Sequence, residues 1–237
     1  MNHAGKIAIV TGGAGALGSV VTGLLMEAGA KVAIPLSSQS PEAVSSSLPV
    51  TNSEQLLLRT ANLVEEEQVQ KFVEAVKERW GRIDYLVNIA GGYVGGKSTA
   101  ETSLTEWNSA FSMNLTTTFL ISRAALHPML AQRSGRIVNI SAMTALLPSS
   151  GKGAYAAAKR AVITLTETIA EEYKEYGITA NAIAPSIILT PANKKWMKSG
   201  DETRWVTPEE IASTILFLCS DQARSLSGTT IKMPGRV

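Results

Sequence analysis

Three scarcities frame this 237-residue chain. A single cysteine, Cys219, excludes an internal disulfide and a cysteine-rich metal site, and a reducing compartment such as the cytoplasm is the simplest expected home. The charge is nearly balanced, 22 Lys and Arg against 20 Asp and Glu, so the basic excess of a nucleic-acid binder is lacking. Long apolar runs are lacking too. The first, Ile7–Val10, is far short of the about 7–15 residues of a secretory signal or the about 20 of a membrane helix. Aromatics make up only 5% of the residues, so the core must come from Ala, Val, Ile and Leu. His3 and His127 have no adjacent ligand set, and no metal site is expected.

What is present is an alternation. Strand-like runs fall at Ile7–Val10, Lys31–Ile34, Gln55–Arg59, Tyr85–Ile89, Arg136–Ile140, Thr179–Ile183 and Thr229–Lys232. Several are continuously apolar, as parallel strands covered on both faces are. Helical periods lie near Leu17–Ala28, Glu65–Trp80, Leu104–Gln132, Tyr155–Tyr176 and Pro208–Cys219. In Tyr155–Tyr176, the positions Ala158, Val162, Leu165, Ile169 and Tyr173 share one stripe. Alternating βα units predict a single α/β domain over residues 1–237 with a parallel sheet of right-handed crossovers. Pro35 is expected to close the second strand. The serine-rich Ser37–Ser47 reads as a loop. The irregular stretch from Pro185 to Thr207 is long enough to suggest a substrate loop.

The first strand runs straight into Gly12-Gly13-Ala14-Gly15-Ala16-Leu17-Gly18 and then a helix. Gly13, Gly15 and Gly18 satisfy G-x-G-x-x-G in the strand–turn–helix context that makes the pattern informative. The first glycine serves a tight turn, the second lets a pyrophosphate approach the backbone, and the third lets helix and strand pack closely. The helix N-terminus supplies N–H donors to the anion. An acid that would hold a ribose 2′-hydroxyl should follow about 20 residues later. Here Ala33–Gln39 contains none, and Ser37 and Ser38 offer hydroxyls instead. The cofactor expected is NADP or NAD, with the balance toward NADP.

Tyr155 and Lys159 stand at i and i+4, on one face of a helix. A free phenol, with a pKa near 10, is a poor base at neutral pH. A neighbouring ammonium stabilises the phenolate and is expected to pull that value down, as acid–base work on a carbonyl or alcohol requires.

Together, TGGAGALG at Thr11–Gly18, NIAG at Asn88–Gly91, Asn114 and YAAAK at Tyr155–Lys159 resemble the short-chain dehydrogenase/reductase family, in order and spacing. Asn139-Ile140-Ser141, Asn181–Pro185 and Ser227-Gly228 extend the resemblance over essentially the whole chain. It implies a single Rossmann-type, three-layer domain with a doubly wound parallel sheet of about seven strands. It also implies a homotetramer or homodimer that passes hydride between a nicotinamide and a small-molecule carbonyl or alcohol. By that resemblance Tyr155 is the acid/base, Lys159 its pKa partner and the holder of the nicotinamide ribose, and Asn114 the holder of a relay water. Asn62 and Leu63 would meet adenine, Asn88, Ala90 and Gly91 would line the cofactor, and Pro185, Ile188 and Thr190 would meet the nicotinamide carboxamide.

The chain also departs from the family. The usual catalytic serine, thirteen residues before the tyrosine, is Ala142. Ser141, Thr144 and Ser149 are candidate substitutes, although a one-residue shift along a strand turns a side chain to the other face. Dihydropteridine reductases lack that serine and carry a glycine-rich segment with an aromatic, which Ala90–Gly96 with Tyr93 resembles. They are the alternative reading, and a cofactor-binding sensor without turnover is a third. Tyr93, Ala142 and Trp196 are the expected substrate neighbours.

Overall fold

The structure is a computed structural model that describes residues 1–48, 53–147, 149–195, 197–199 and 201–236. The strands are β1 (Ile7–Thr11), β2 (Lys31–Leu36), β3 (Leu56–Thr60), β4 (Tyr85–Asn88), β5 (Gly135–Ile140), β6 (Ile178–Pro185) and β7 (Thr230–Met233). They form one parallel sheet in the order β3-β2-β1-β4-β5-β6-β7. The helices are α1 (Ala16–Glu27), α2 (Pro41–Ser47), α3 (Glu66–Trp80), α4 (Leu104–Phe111), α5 (Thr117–Gln132), α6 (Gly153–Tyr173), α7 (Pro191–Lys194) and α8 (Pro208–Cys219).

Strict alternation along each strand gives the sheet two cores. Ala8 and Val10 of β1, with Val32 and Ile34 of β2, face Val21 and Leu25 of α1 and Ile211 and Ile215 of α8. Ile7 and Ile9 turn the other way, toward Phe72 of α3, Ile121 and Met129 of α5 and Ile169 of α6. Each fully buried Ile, Leu or Phe contributes about 1.5–3 kcal/mol, so both helical layers are firmly attached. The chain winds outward from β1 through β2 to β3, then returns to place β4 against the other side of β1. That reversal opens a crevice above the C-terminal ends of β1 and β4, where ligands bind in such sheets.

Four sequence expectations need correction. Pro35 does not end β2 but sits inside it, opposite Arg59 of β3. Lys31 donates to Lys6 on the β1 side, and the carbonyl of Leu36 faces β3. By alternation, Pro35 faces the β1 side, where pairing has already stopped at Ala33, so its missing N–H leaves no ladder bond broken. Ser37–Ser47 is not all loop: Ser40 caps α2, its Oγ accepting from the Ala43 N–H at 3.2 Å, with Pro41 in the first turn. The helical stretch Leu104–Gln132 is interrupted by a π-helical turn at Ser112–Thr116. The helix starting at Gly153 ends at Tyr173 and finishes in a 3-10 turn, Lys174–Tyr176.

Candidate active site

The glycine loop closes the crevice from one side. Its left-handed residue is Gly12, φ 67°, one position earlier than the motif predicted. The Gly15 N–H then bonds the Gly12 carbonyl at 2.9 Å and starts α1. A Cβ on Gly13 would lie 2.9 Å from Ile34, and one on Gly18 only 2.0 Å from the Gly12 oxygen. Among the described residues a Cβ on Gly15 would meet only the Gly12 oxygen, at 3.3 Å, so its outer side is free for a ligand. Thr11 fixes the opposite wall, its hydroxyl accepting the N–H groups of Ile89 and Ala90 at 3.1 Å each.

Between these walls lies a cavity of about 710 Å³ lined by Gly12–Gly18, Ile34–Ser37, Gln39, Ala61–Val64, Ile89–Gly92, Ser109, Ser112, Met113 and Thr117. It gathers Gly12, Gly13, Gly15, Ala16, Leu17, Gly18, Ser37, Asn62, Leu63, Ala90 and Gly91 among the expected cofactor residues. Ser38 is exposed and outside it. Asn88 lies beneath, buried in a polar chain: its amide donates to Ser122 at 3.1 Å and Asn139 at 2.8 Å. Asn139 in turn donates to Thr166 of α6 at 2.8 Å. The Asn62 amide oxygen accepts the Val64 N–H at 3.3 Å and keeps a lone pair free. Pro185 ends β6, Ile188 pairs with Val206, and Thr190 caps α7. The predicted substrate loop is thus an excursion pinched at its base, and Trp196 lies outside the described residues. The Gly12 turn, the glycines packed too tightly for any Cβ and the N-terminus of α1 fit a dinucleotide pyrophosphate.

The reacting end lies where α6 meets β5. The α6 stripe Ala158, Val162 and Ile169 is buried, which fixes the rotation of the helix, with Lys159 beside Gly91 at the crevice wall and Tyr155 against Tyr93. Two hydrogen bonds stitch helix to strand: Lys159 Nζ donates to the Ile140 carbonyl at 2.8 Å, and Ser141 Oγ donates to the Lys159 carbonyl at 2.8 Å. Ser141 is therefore spent on the scaffold. Ala142 is buried and has no side-chain donor, Ser149 is exposed, and the Thr144 hydroxyl is buried with no partner among the described residues.

Lys159 Nζ sits 6.0 Å from the centre of the Tyr155 ring, and a Cβ on Gly91 would be 3.3 Å from it. Burial pushes this ammonium down to about 8. The expected fall of the Tyr155 pKa is not found. Burial, with a smaller contribution from Tyr93, pushes the phenol up to about 12. Asn114, fully buried in the π-helical turn, holds the loop above: its amide donates to Gly92 O at 2.9 Å and its oxygen accepts the Gly92 N–H at 3.2 Å. A π turn inserts a residue and re-aims a side chain, a device common at functional sites. Sequence reasoning missed Thr11, Gln39, Met113 and Thr117. Thr11 alone carried a signal, standing immediately before the first glycine.

A parallel sheet with a glycine-walled crevice at its strand reversal, and a Tyr/Lys helix beside it, defines a nucleotide-binding oxidoreductase. The profile of the short chain dehydrogenase family matches residues 6–200. The chain belongs to that family and is an NAD(P)-dependent oxidoreductase. It is similar to the 3-oxoacyl-[acyl-carrier-protein] reductase FabG of Vibrio cholerae serotype O1, with 33% identity over 99% of this chain and 98% of that protein. It is also similar to the D-beta-hydroxybutyrate dehydrogenase of Rhizobium meliloti, with 29% identity over 97% of each. Among solved structures it resembles levodione reductase, with TM-score 0.87, 30% identity and coverage of 98% and 97%. The structure described as ElxO with NADP bound matches with TM-score 0.91, 28% identity and 97% coverage of both chains. Among the described residues no helix is long and apolar enough to cross a membrane.

Proposed function

We propose that this protein reduces a carbonyl, or oxidises the corresponding alcohol, with NADP ahead of NAD, and that Tyr155 carries the proton. One observation bears most of the weight: Tyr155 and Lys159 share a face of α6, and Lys159 Nζ lies beside Gly91 at the wall of the glycine-loop cavity. A nicotinamide bound along the glycine loop would supply or accept the hydride. The high pKa of Tyr155 keeps its phenol protonated at neutral pH, the state a proton donor needs. Lys159 is the cation that faces negative charge developing on that oxygen and holds the ribose. Asn114 fixes the loop above and serves the proton relay.

Gly13, Gly15, Gly18 and the start of α1 would take the pyrophosphate, Asn62 and Leu63 the adenine, and Ile188 and Thr190 the carboxamide. NADP is favoured because no acid at the end of β2 repels a 2′-phosphate, while Ser37 and Gln39 line the cavity there. That ElxO is described with NADP bound supports the same choice. Tyr93, Ala142 and the 185–207 loop with Trp196 border the substrate. A homotetramer or homodimer in the cytoplasm completes the reading.

The test is loss of reduced-nicotinamide absorbance over a panel of ketones, keto esters and a quinonoid dihydropterin. Tyr155→Phe should leave NADPH affinity nearly unchanged and lower turnover by about 10²–10⁴-fold. Tight NADPH binding without turnover of any panel member refutes the catalytic reading and leaves a cofactor-binding sensor.

A further inference from the structure

Tyr93 is 58% exposed in a glycine-rich loop, yet it is held from both ends. Before it, Gly92 is gripped at its N–H and its carbonyl by Asn114. After it, the Gly96 N–H donates to Gly151 O at 2.7 Å, and Lys97 pairs with Glu106 at 2.6 Å. Between these anchors the ring stands edge-on to Tyr155, centroids 5.3 Å apart and planes at 73°. Beneath it is Gly95, where a Cβ would come within 2.4 Å of the Tyr93 hydroxyl and 2.8 Å of Gly151 O. The phenol rests on bare backbone, and only glycine at 95 leaves room for it.

A second observation concerns the carbonyl. Ala142 has no hydroxyl, that of Ser141 is bound to the Lys159 carbonyl, and that of Thr144 is buried out of contact with solvent. A carbonyl received by Tyr155 alone is fixed at one point and free to swing about that bond. A defined reacting geometry needs a further contact, and the exposed face of Tyr93 beside Tyr155 offers one. Aromatic faces hold flat, unsaturated rings better than flexible chains, which lose more freedom on binding.

We infer that Tyr93 is a specificity-determining residue, a fixed wall beside Tyr155 that selects planar cyclic carbonyl compounds over saturated chains. The inference rests on the carbonyl-reductase reading above and names its substrate class.

The test compares wild type, Tyr93→Leu, Tyr93→Phe and Gly95→Ala with NADPH on 1-indanone, which is flat, and ethyl 3-oxohexanoate, which is a chain. Wild type should favour 1-indanone. The ratio of kcat/KM for the two substrates should fall at least tenfold in Tyr93→Leu, chiefly through KM. Gly95→Ala should show the same loss, because its methyl displaces the ring from its bed. Tyr93→Phe should keep the ratio within twofold. An unchanged ratio in Tyr93→Leu and Gly95→Ala, or a Tyr93→Phe that behaves like Tyr93→Leu, overturns the inference.

Calorimetry of 1-indanone on the NADP⁺ complex, where no reduction occurs, gives an answer independent of turnover. Binding should weaken at least tenfold in Tyr93→Leu. Absent binding to wild type, or equal affinity, overturns the inference. Tyr93-dependent binding with no reduction of either compound would instead overturn the reductase reading alone.

Discussion

Replacing Lys159 with methionine should abolish turnover and make the cofactor-free protein more stable. The ammonium is buried, with one hydrogen bond among the described residues, to the Ile140 carbonyl. Burial pushes it from 10.5 down to about 8. At about 1.4 kcal/mol per pH unit, holding the charge there costs roughly 3 kcal/mol at pH 7. Methionine fills the same channel with a flexible apolar chain, and the forfeited bond to Ile140 costs about 1 kcal/mol. The balance is about 2 kcal/mol in favour of Lys159→Met, a rise in Tm of about 4–8 °C for a chain of this size.

The sign and the pH window are fixed by linkage. Below pH 8 the lysine is protonated in both folded and unfolded chains, so the full gain is present. Between 8 and 10.5 the unfolded chain binds a proton that the folded chain does not, and wild-type stability rises with pH by up to about 1.4 kcal/mol per unit. The advantage of Lys159→Met should therefore shrink from pH 7 to pH 9.5 in paired urea melts. A variant less stable than wild type at pH 7, or an advantage independent of pH, would refute the claim that an uncompensated charge is stored there for catalysis.

Other perturbations separate scaffold from ligand contacts. Gly18→Ala puts a methyl 2.0 Å from the Gly12 oxygen, so it should both destabilise the fold, read by thermal melting, and abolish NADPH binding. Gly15→Ala meets only the Gly12 oxygen at 3.3 Å and should melt nearly normally while losing most NADPH affinity, read by fluorescence titration. Asn139→Ala breaks the bonds to both Asn88 and Thr166, which keep their bonds to Ser122 and Val162, and should cost about 1–3 kcal/mol in urea melts, at about 0.5–1.5 for each hydrogen bond lost. His3 is fully buried against Tyr85, and burial, ahead of nearby positive charge, lowers its pKa from 6.5. Its neutral form is therefore native, and stability should fall as pH drops below 6.5, by at most about 1.4 kcal/mol per unit; His3→Gln should flatten that slope.

Much of the architecture was legible because parallel strands buried on both faces tend to be apolar throughout, as in Ile7–Val10, which falls within β1. Helix–strand order then constrained the winding. What escaped was local chemistry set by tertiary context. Pro35 reads as a strand end because nothing in the sequence says that β1 stops pairing at Ala33. The π-helical turn at Ser112–Thr116 has no periodic signature, since one inserted residue only rotates the apolar stripe. The Ser40–Pro41 cap of α2 was readable and was hidden by its serine-rich setting.

The site was legible in its residue types and not in its electrostatics. Four-residue spacing puts Tyr155 and Lys159 on one face, but burial, which the spacing does not report, sets the direction of the phenol's pKa. Strand alternation accounts for Ser141. Its neighbours Ile140 and Ala142 point to the opposite side of the strand's path, so a hydroxyl at 141 faces α6, and it caps the Lys159 carbonyl. Restoring a donor at Ala142 by serine would place it on the face that Ser141 cannot reach. A gain in turnover of simple ketones by Ala142→Ser, without a change in NADPH affinity, would show that the native site works with one carbonyl donor. A second contact must then orient the substrate, and Tyr93 is the group positioned to supply it.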